Sequence, residues 1–335
     1  MERKKHRWLA VLGLVFSGAT SAAPLALDKD GPVCTSFLCA FKAPGGIYAN
    51  FTGYYLRPSE TGIGLVTDSW QYPVPGGELS RSKPVQPHHK FAGRIVLGYD
   101  FANSANNIEA NYFVLRNKTH AINDFSDGSD YFGSVLFPDA TIPPTPGFVS
   151  NAYLRYEIHQ ADLKAGRKYS DATQSFSIHP SAGVRYAEIE HKLTFAAPGN
   201  MISEFNGVGP LFSVDANYGL GHGFGLVGYF DYAFIVGQIH SHSYVVVQNF
   251  SHMFTWPKND RIVNSITGKL GVDYSHVFSN TARATLEAGY QVGTYQNAMD
   301  TLRGYLFNPG FQHIAGKETN SFSYRGPYLS LAIHA

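Results

Sequence analysis

The residues able to do chemistry are few, and their spacing decides what is open to them. Ser177 and His179 stand two apart in "SFSIHPSAGVRY" and share a face if that segment is extended. Asp171 and Asp215 are then the available orienters of a hydrolytic triad. No nucleophile elbow or other local catalytic motif surrounds them, so an enzyme is not expected. His240, His242 and His252 share "QIHSHSYVVVQNFSHMF", and the first two would face one way on a strand. No thiolate or carboxylate stands beside them at ligand spacing. Solvated loop histidines are expected there, as at His88, His89 and His120, with no metal and no cofactor. No glycine-rich loop follows a strand and opens a helix, which leaves nucleotide binding without support.

Cys34 and Cys39, in "GPVCTSFLC", are the only thiols. What they do depends on compartment, and the N-terminus speaks to that. Arg3, Lys4, Lys5 and Arg7 precede a short apolar run from Trp8 to Phe16, and small residues lead to Ala22 and Ala23. That layout predicts a cleaved secretory signal over 1–23, followed by an N-terminal periplasmic segment, 24–45, and a main body, 46–335. In an exported chain both cysteines are expected to be oxidised. They bond with each other across the short loop, or with cysteines of a second subunit in a disulfide-linked homo-oligomer.

The elements that must position these residues show in the composition. Removing the signal takes four basic residues and one acidic one, so a formal +1 becomes −2 and no basic surface for nucleic acid remains. Charged residues are 15% of the chain, against a typical ~25%. There are 34 Gly, 21 Tyr and 24 Phe but only 3 Trp. No later run holds eighteen consecutive apolar residues, which excludes a helical span. Strands are the remaining reading.

Period-two alternation recurs ten times, near 46–57, 91–102, 107–116, 149–162, 175–189, 205–219, 223–237, 263–277, 281–295 and 321–333. Most of these segments run longer than a soluble strand and suit a tilted bilayer crossing of about 9–11 residues. Long links (58–90, 117–148, 238–262, 296–320) alternate with tight ones (103–106, 220–223, 278–281). An intermediate link covers 163–174 and a moderate loop 190–204. The pattern predicts an all-β, antiparallel up-and-down transmembrane barrel with both ends periplasmic and long external loops. It has ten strands, or twelve if "SYVVVQNFSHMF" hides a further hairpin.

Within "FNGVGPLFSVDANYGLGHGFGLVG" (205–228), Phe212, Val214 and Tyr218 would meet lipid, while Ser213, Asp215 and Asn217 face the lumen. Pro210 needs a bulge or a place near the rim. Tyr48, Tyr55, Phe91, Tyr99, Phe101, Tyr112, Tyr218, Tyr274 and Tyr290 suit interfacial girdles. This block, with "GPVC", "GYYLRPS", "HPSAGVRYAEIEHKL" and "YRGPYLSL", resembles the Legionella major outer membrane protein family over nearly the whole mature chain. The resemblance implies a pore-forming protein of the Gram-negative outer membrane, with cysteine-linked assembly in some members.

With apolar residues outward, the lumen receives Arg94, Asp100, Glu109, Arg155, Glu157, Arg185, Asp215, Asp231, Lys269, Asp273, Arg283, Glu287 and Arg325. Six basic residues against seven acidic ones argue against strong anion selectivity. The set reads as the lining of a porin-like pore passing ions and small hydrophilic solutes. It also reads as ion pairs that fill a narrow barrel, making a plugged structural or adhesion barrel whose loops bind host or envelope partners. Outer-membrane lipid and lipopolysaccharide are the surroundings expected of either.

Overall fold

The computed structural model describes residues 33–35, 38–40, 45–60, 66–71, 78–83, 87–125, 131–134, 137–142, 148–171, 173, 175–195, 199–247, 250–278, 282–306 and 314–335. Ten long strands dominate: β1 (Gly46–Glu60), β2 (Lys90–Asp100), β3 (Asn106–Phe125), β4 (Phe148–Arg167) and β5 (Phe176–Phe195). They continue as β6 (Gly199–Gly221), β7 (Phe224–Val247), β8 (Phe250–Val277), β9 (Arg283–Leu306) and β10 (Ile314–His334). Each pairs antiparallel with its sequence neighbours, and β10 returns to β1, which closes the sheet. Across the belt closure leaves no edge, so the backbone groups there find partners without water.

The strands are strongly tilted. A path of directly opposed residues that leaves β6 at Asn206 passes Glu188, His159, Val114, Gly93, Gly53, Leu329, Ala288, Val272 and Leu226, and returns to β6 at Tyr218. That offset is the stagger a closed barrel requires. β1 begins and β10 ends at the same end of the barrel, where Ala335 N–H donates to the Ile47 carbonyl at 3.0 Å. The links after β2, β4, β6 and β8 turn at this same end; those after β1, β3, β5, β7 and β9 lie at the other, the loop end.

Side chains follow the pleat. On β1, Phe51 and Tyr55 point out while Thr52, Tyr54 and Leu56 point in. Ile95, Leu97, Phe212, Phe230, Leu270, Leu286 and Leu331 continue an exposed apolar belt around the outer face. Eight of the girdle aromatics stand on it, but Tyr48 does not: it is buried inside, with its hydroxyl accepting from Asn107 Nδ2 at 2.8 Å. Pro210 needs neither bulge nor rim. The β6–β7 ladder skips Gly209 and Pro210 without changing register, and the Phe234 carbonyl approaches Gly209 so closely that a Cβ would lie 1.8 Å from it.

The segments read as long or moderate loops are largely strand. β7 and β8 continue to a tip where Val247 faces Phe250, and β5 and β6 meet at Phe195 and Gly199. The apparent hairpin in 243–254 is therefore the tip of two existing strands, and the barrel has ten. Polar residues on both faces, such as His240 and His242 outside with Ser241 and Ser243 buried, hid the alternation. His240 and His242 thus sit on a strand rather than in a loop. Beyond the belt, Val66–Gln71, Glu78–Lys83, Tyr131–Ser134 and Phe137–Ile142 form a small four-stranded sheet drawn from the first two loops.

At the turn end, Val33–Thr35 pairs with Leu38–Ala40, which puts Cys34 opposite a buried Cys39. Ser170 pairs with Cys39 and ties this hairpin to the barrel. The predicted signal over 1–23 lies outside the described residues.

Candidate functional site in the barrel lumen

The lumen has three tiers. At the turn end a vestibule of about 810 Å3 is lined by Arg94, Glu109, Lys164, His179, Asp215, Lys269, Asp273, Arg283 and Glu287. Some of its charges are paired. Lys164 Nζ lies 3.2 Å from Glu109 Oε1, and at the mouth Lys168 Nζ reaches both Asp100 oxygens at 2.7 and 2.8 Å. Tyr229 and Tyr328 donate to Glu287 at 2.7 and 2.5 Å, and Lys269 Nζ stands 4.2 Å from the Tyr229 ring centroid. His179 contacts Asp215 at 3.3 Å through Nδ1 and Asn107 at 2.8 Å through Nε2. Both ring nitrogens are thus engaged by groups other than Ser177.

The second tier closes the vestibule. Across one level of the lumen nine strands each contribute a side chain no more than 7% exposed. They are Tyr54, Asn111, Asp162, Arg185, Ser213, Asp231, Thr267, Gln291 and Tyr328; β2 adds Arg94 as the vestibule ceiling. Arg185 is the keystone. Its Nε and Nη2 each donate to Asp162 at 2.8 Å, Nη1 donates to Ser265 Oγ at 2.9 Å, and Nη2 lies 3.4 Å from Asp231 Oδ2. A guanidinium fits because its planar fork binds one carboxylate bidentately and still has donors for two further strands. Gln160 extends the network, donating to Asp162 at 2.8 Å and accepting from Tyr295 at 2.5 Å.

Beyond that level, toward the loop end, the interior is packed with apolar groups. Leu56, Leu115, Ile158, Phe205, Ile235, Val263, Tyr295 and Phe322 are all fully buried. Within this tier, above the belt, the Tyr156 hydroxyl donates to Glu60 Oε2 at 2.7 Å, and His191 Nε2 lies 3.6 Å from that oxygen. Burial pushes the Glu60 carboxyl up to about 8 and the His191 imidazole down to about 3.

For Glu60 the folded value is above the unfolded one. Its contribution to stability is therefore full below about 4.5 and lost as pH rises through about 8. For His191 the folded value is lower, so its contribution is present above 6.5 and lost as pH falls toward about 3. Stability should decline between pH 6.5 and 8 by about 2 kcal/mol, at roughly 1.36 kcal/mol per unit. Urea titrations across that range should show Glu60→Gln flattening the decline; an equal slope in both proteins would refute it.

Ten of the thirteen ionisable residues read as lumenal do point inward: Arg94, Asp100, Glu109, Arg185, Asp215, Asp231, Lys269, Asp273, Arg283 and Glu287. Arg155, Glu157 and Arg325 do not. Leu154, Tyr156 and Ile158 take the inward positions of β4, and Tyr324 takes that of β10. At the loop-side margin of the belt the outer wall meets water, so charge faces out and apolar groups fill the interior. There Arg155 and Arg116 both donate to Glu157, the latter at 2.6 Å, and His159 Nε2 lies 3.0 Å away. Asp162 and Lys164 were missed as lumenal residues. Their signal was the alternation of Gln160, Asp162 and Lys164 in "HQADLK", with Asp162 directly opposite Arg185.

A closed, tilted antiparallel barrel with a continuous apolar outer belt defines a β-barrel membrane protein. Residues 49–335 match the family described as Legionella pneumophila major outer membrane protein precursor, and the chain belongs to that family of outer-membrane barrels. No curated protein matches it. Among solved structures it is similar to the outer membrane protease OmpT of Escherichia coli, at 9% identity over 90% of this chain and 98% of that one, with TM-score 0.45. The P. putida toluene transporter TodX is 9% identical over 87% of this chain and 90% of that one, at TM-score 0.30. A Pseudomonas aeruginosa FadL homologue is 11% identical over 86% and 90%, at TM-score 0.29. Likeness at this level carries nothing about activity.

Proposed function

We propose that this chain is an occluded, non-enzymatic barrel of the Gram-negative outer membrane. It anchors a β-cylinder and loops at the cell surface for contact with host or envelope partners, and it is not a standing diffusion pore. The observation that carries this reading is the buried layer centred on Arg185. Side chains from nine strands are buried there across the lumen, and a tier of buried apolar residues backs them. Strand length supports the surface role. β7 has 24 residues and β8 has 28, against the 9–11 or so a crossing needs. A second reading, passage of ions and small hydrophilic solutes, is favoured by the polar vestibule and requires the Arg185 layer to part. Planar-bilayer recording separates the two, and silence is expected from the resting protein.

In the orientation proposed, the termini and short turns are periplasmic, the loops are external, and residues 1–23 are removed as a signal during export. Cys34 and Cys39 form a local disulfide, supported by their direct opposition across a hairpin. Mass spectrometry without reductant should find one intrachain bridge per subunit. Two free thiols, or an oligomer that collapses on reduction, would contradict it.

A further inference from the structure

We propose that the outer face carries a binding site for one phosphorylated, acylated lipid of the outer leaflet, with an acyl chain lying over Gly268 and the phosphate held at Arg325. A groove of about 300 Å3 runs on the lipid-facing side where β8, β9, β10 and β1 adjoin, lined by Ile266, Gly268 and Val292 below and by Thr294, Ser323 and Arg325 above. Its floor is open because Gly268 has no Cβ. A Cβ built there meets only Val292 Cγ2, at 3.8 Å. Apolar below and polar above is the profile of an acylated headgroup.

The groove also sits at the right height. On β10 the outward Ile333, Leu331 and Leu329 belong to the belt, and Arg325 ends it on the loop side. On β9 the outward Leu286, Tyr290 and Val292 give way to Thr294, and on β1 Phe51 and Tyr55 give way to Arg57. With the loop end outside, that boundary lies at the headgroups of the outer leaflet.

Charge complementarity selects the occupant. Arg57 and Arg325 are directly opposed in the β1–β10 ladder, where like charges repel. Arg57 Nε donates to the Pro87 carbonyl at 3.1 Å. Arg325 is exposed, and no ion pair among the described residues engages it. A phosphate at Arg325 would give this exposed guanidinium charge-assisted hydrogen bonds.

The test uses the full chain in detergent with added monophosphoryl lipid A, and native mass spectrometry to count retained lipid. The wild type should hold one molecule. Arg325→Gln and Gly268→Leu should each lower retention at least tenfold, while Arg155→Gln, on another part of the outer face, should not. Heat-resistant electrophoretic mobility checks that each variant is folded, and Gly268→Val replaces the leucine variant if that one is not. Unchanged retention in a folded Arg325→Gln or groove-filled variant would overturn the site. So would displacement of the lipid by millimolar inorganic phosphate alone, because the groove would then contribute nothing.

Discussion

Replacing Arg185 with leucine should destabilise the barrel by about 3–5 kcal/mol, because it leaves the carboxylates of Asp162 and Asp231 buried without their shared cation. The side chains of Arg185 and Asp162 are fully buried and that of Asp231 is 7% exposed, so solvent offers little relief. The loss follows from one group serving β4, β7 and β8 from β5. Adding Asp162→Asn and Asp231→Asn to the same chain should recover much of it, since neutral amides tolerate burial far better than unpaired charges. Urea unfolding in detergent, followed by electrophoretic mobility, measures both proteins. A single variant within about 0.5 kcal/mol of wild type would show that Arg185 is not the keystone.

Leu270→Arg should cost about 2–4 kcal/mol, the expected penalty for a cation near the bilayer midplane of a barrel wall. Leu270 is 74% exposed and stands mid-belt on β8, between the outward Ile262 and Ile266 on one side and Val272 and Tyr274 on the other. Its direct ladder neighbours are Gly228 and Tyr290, neither of which offers a counter-charge. Leu270→Phe should be nearly neutral at the same place. Folding into phospholipid vesicles under a urea gradient reads the difference. If the arginine variant folds with the wild-type midpoint, the face assigned to lipid is wrong along the whole strand, since one residue of register exchanges the two faces.

Much of the barrel was legible in the sequence because lipid imposes one rule along each crossing. Phe212, Val214 and Tyr218 alternate with Ser213, Asp215 and Asn217 in the sequence as they do in space. The same rule failed beyond the belt, where the outer wall meets water and the interior is dry. There Leu154, Tyr156 and Ile158 fill the lumen while Arg155 and Glu157 face out, which inverts the assignment for those two and explains the error. The site itself was half legible. Alternation could point Arg185 and Asp231 inward, but only the barrel's closure and stagger bring them together with Asp162 and Ser265. Whether charged side chains line a path or block it depends on their reach across the lumen, a property of strand number and tilt that no local pattern encodes.

The central claim is that a layer of side chains seals the lumen at Arg185. Its most direct test is electrical: purified, folded full-length protein inserted into a planar phospholipid bilayer, recorded in 1 M KCl at low applied voltage. The expected record is a flat baseline, with insertion confirmed independently by protease protection of the barrel. Regular, reproducible conductance steps from the unmodified protein would contradict the seal and establish an open pore.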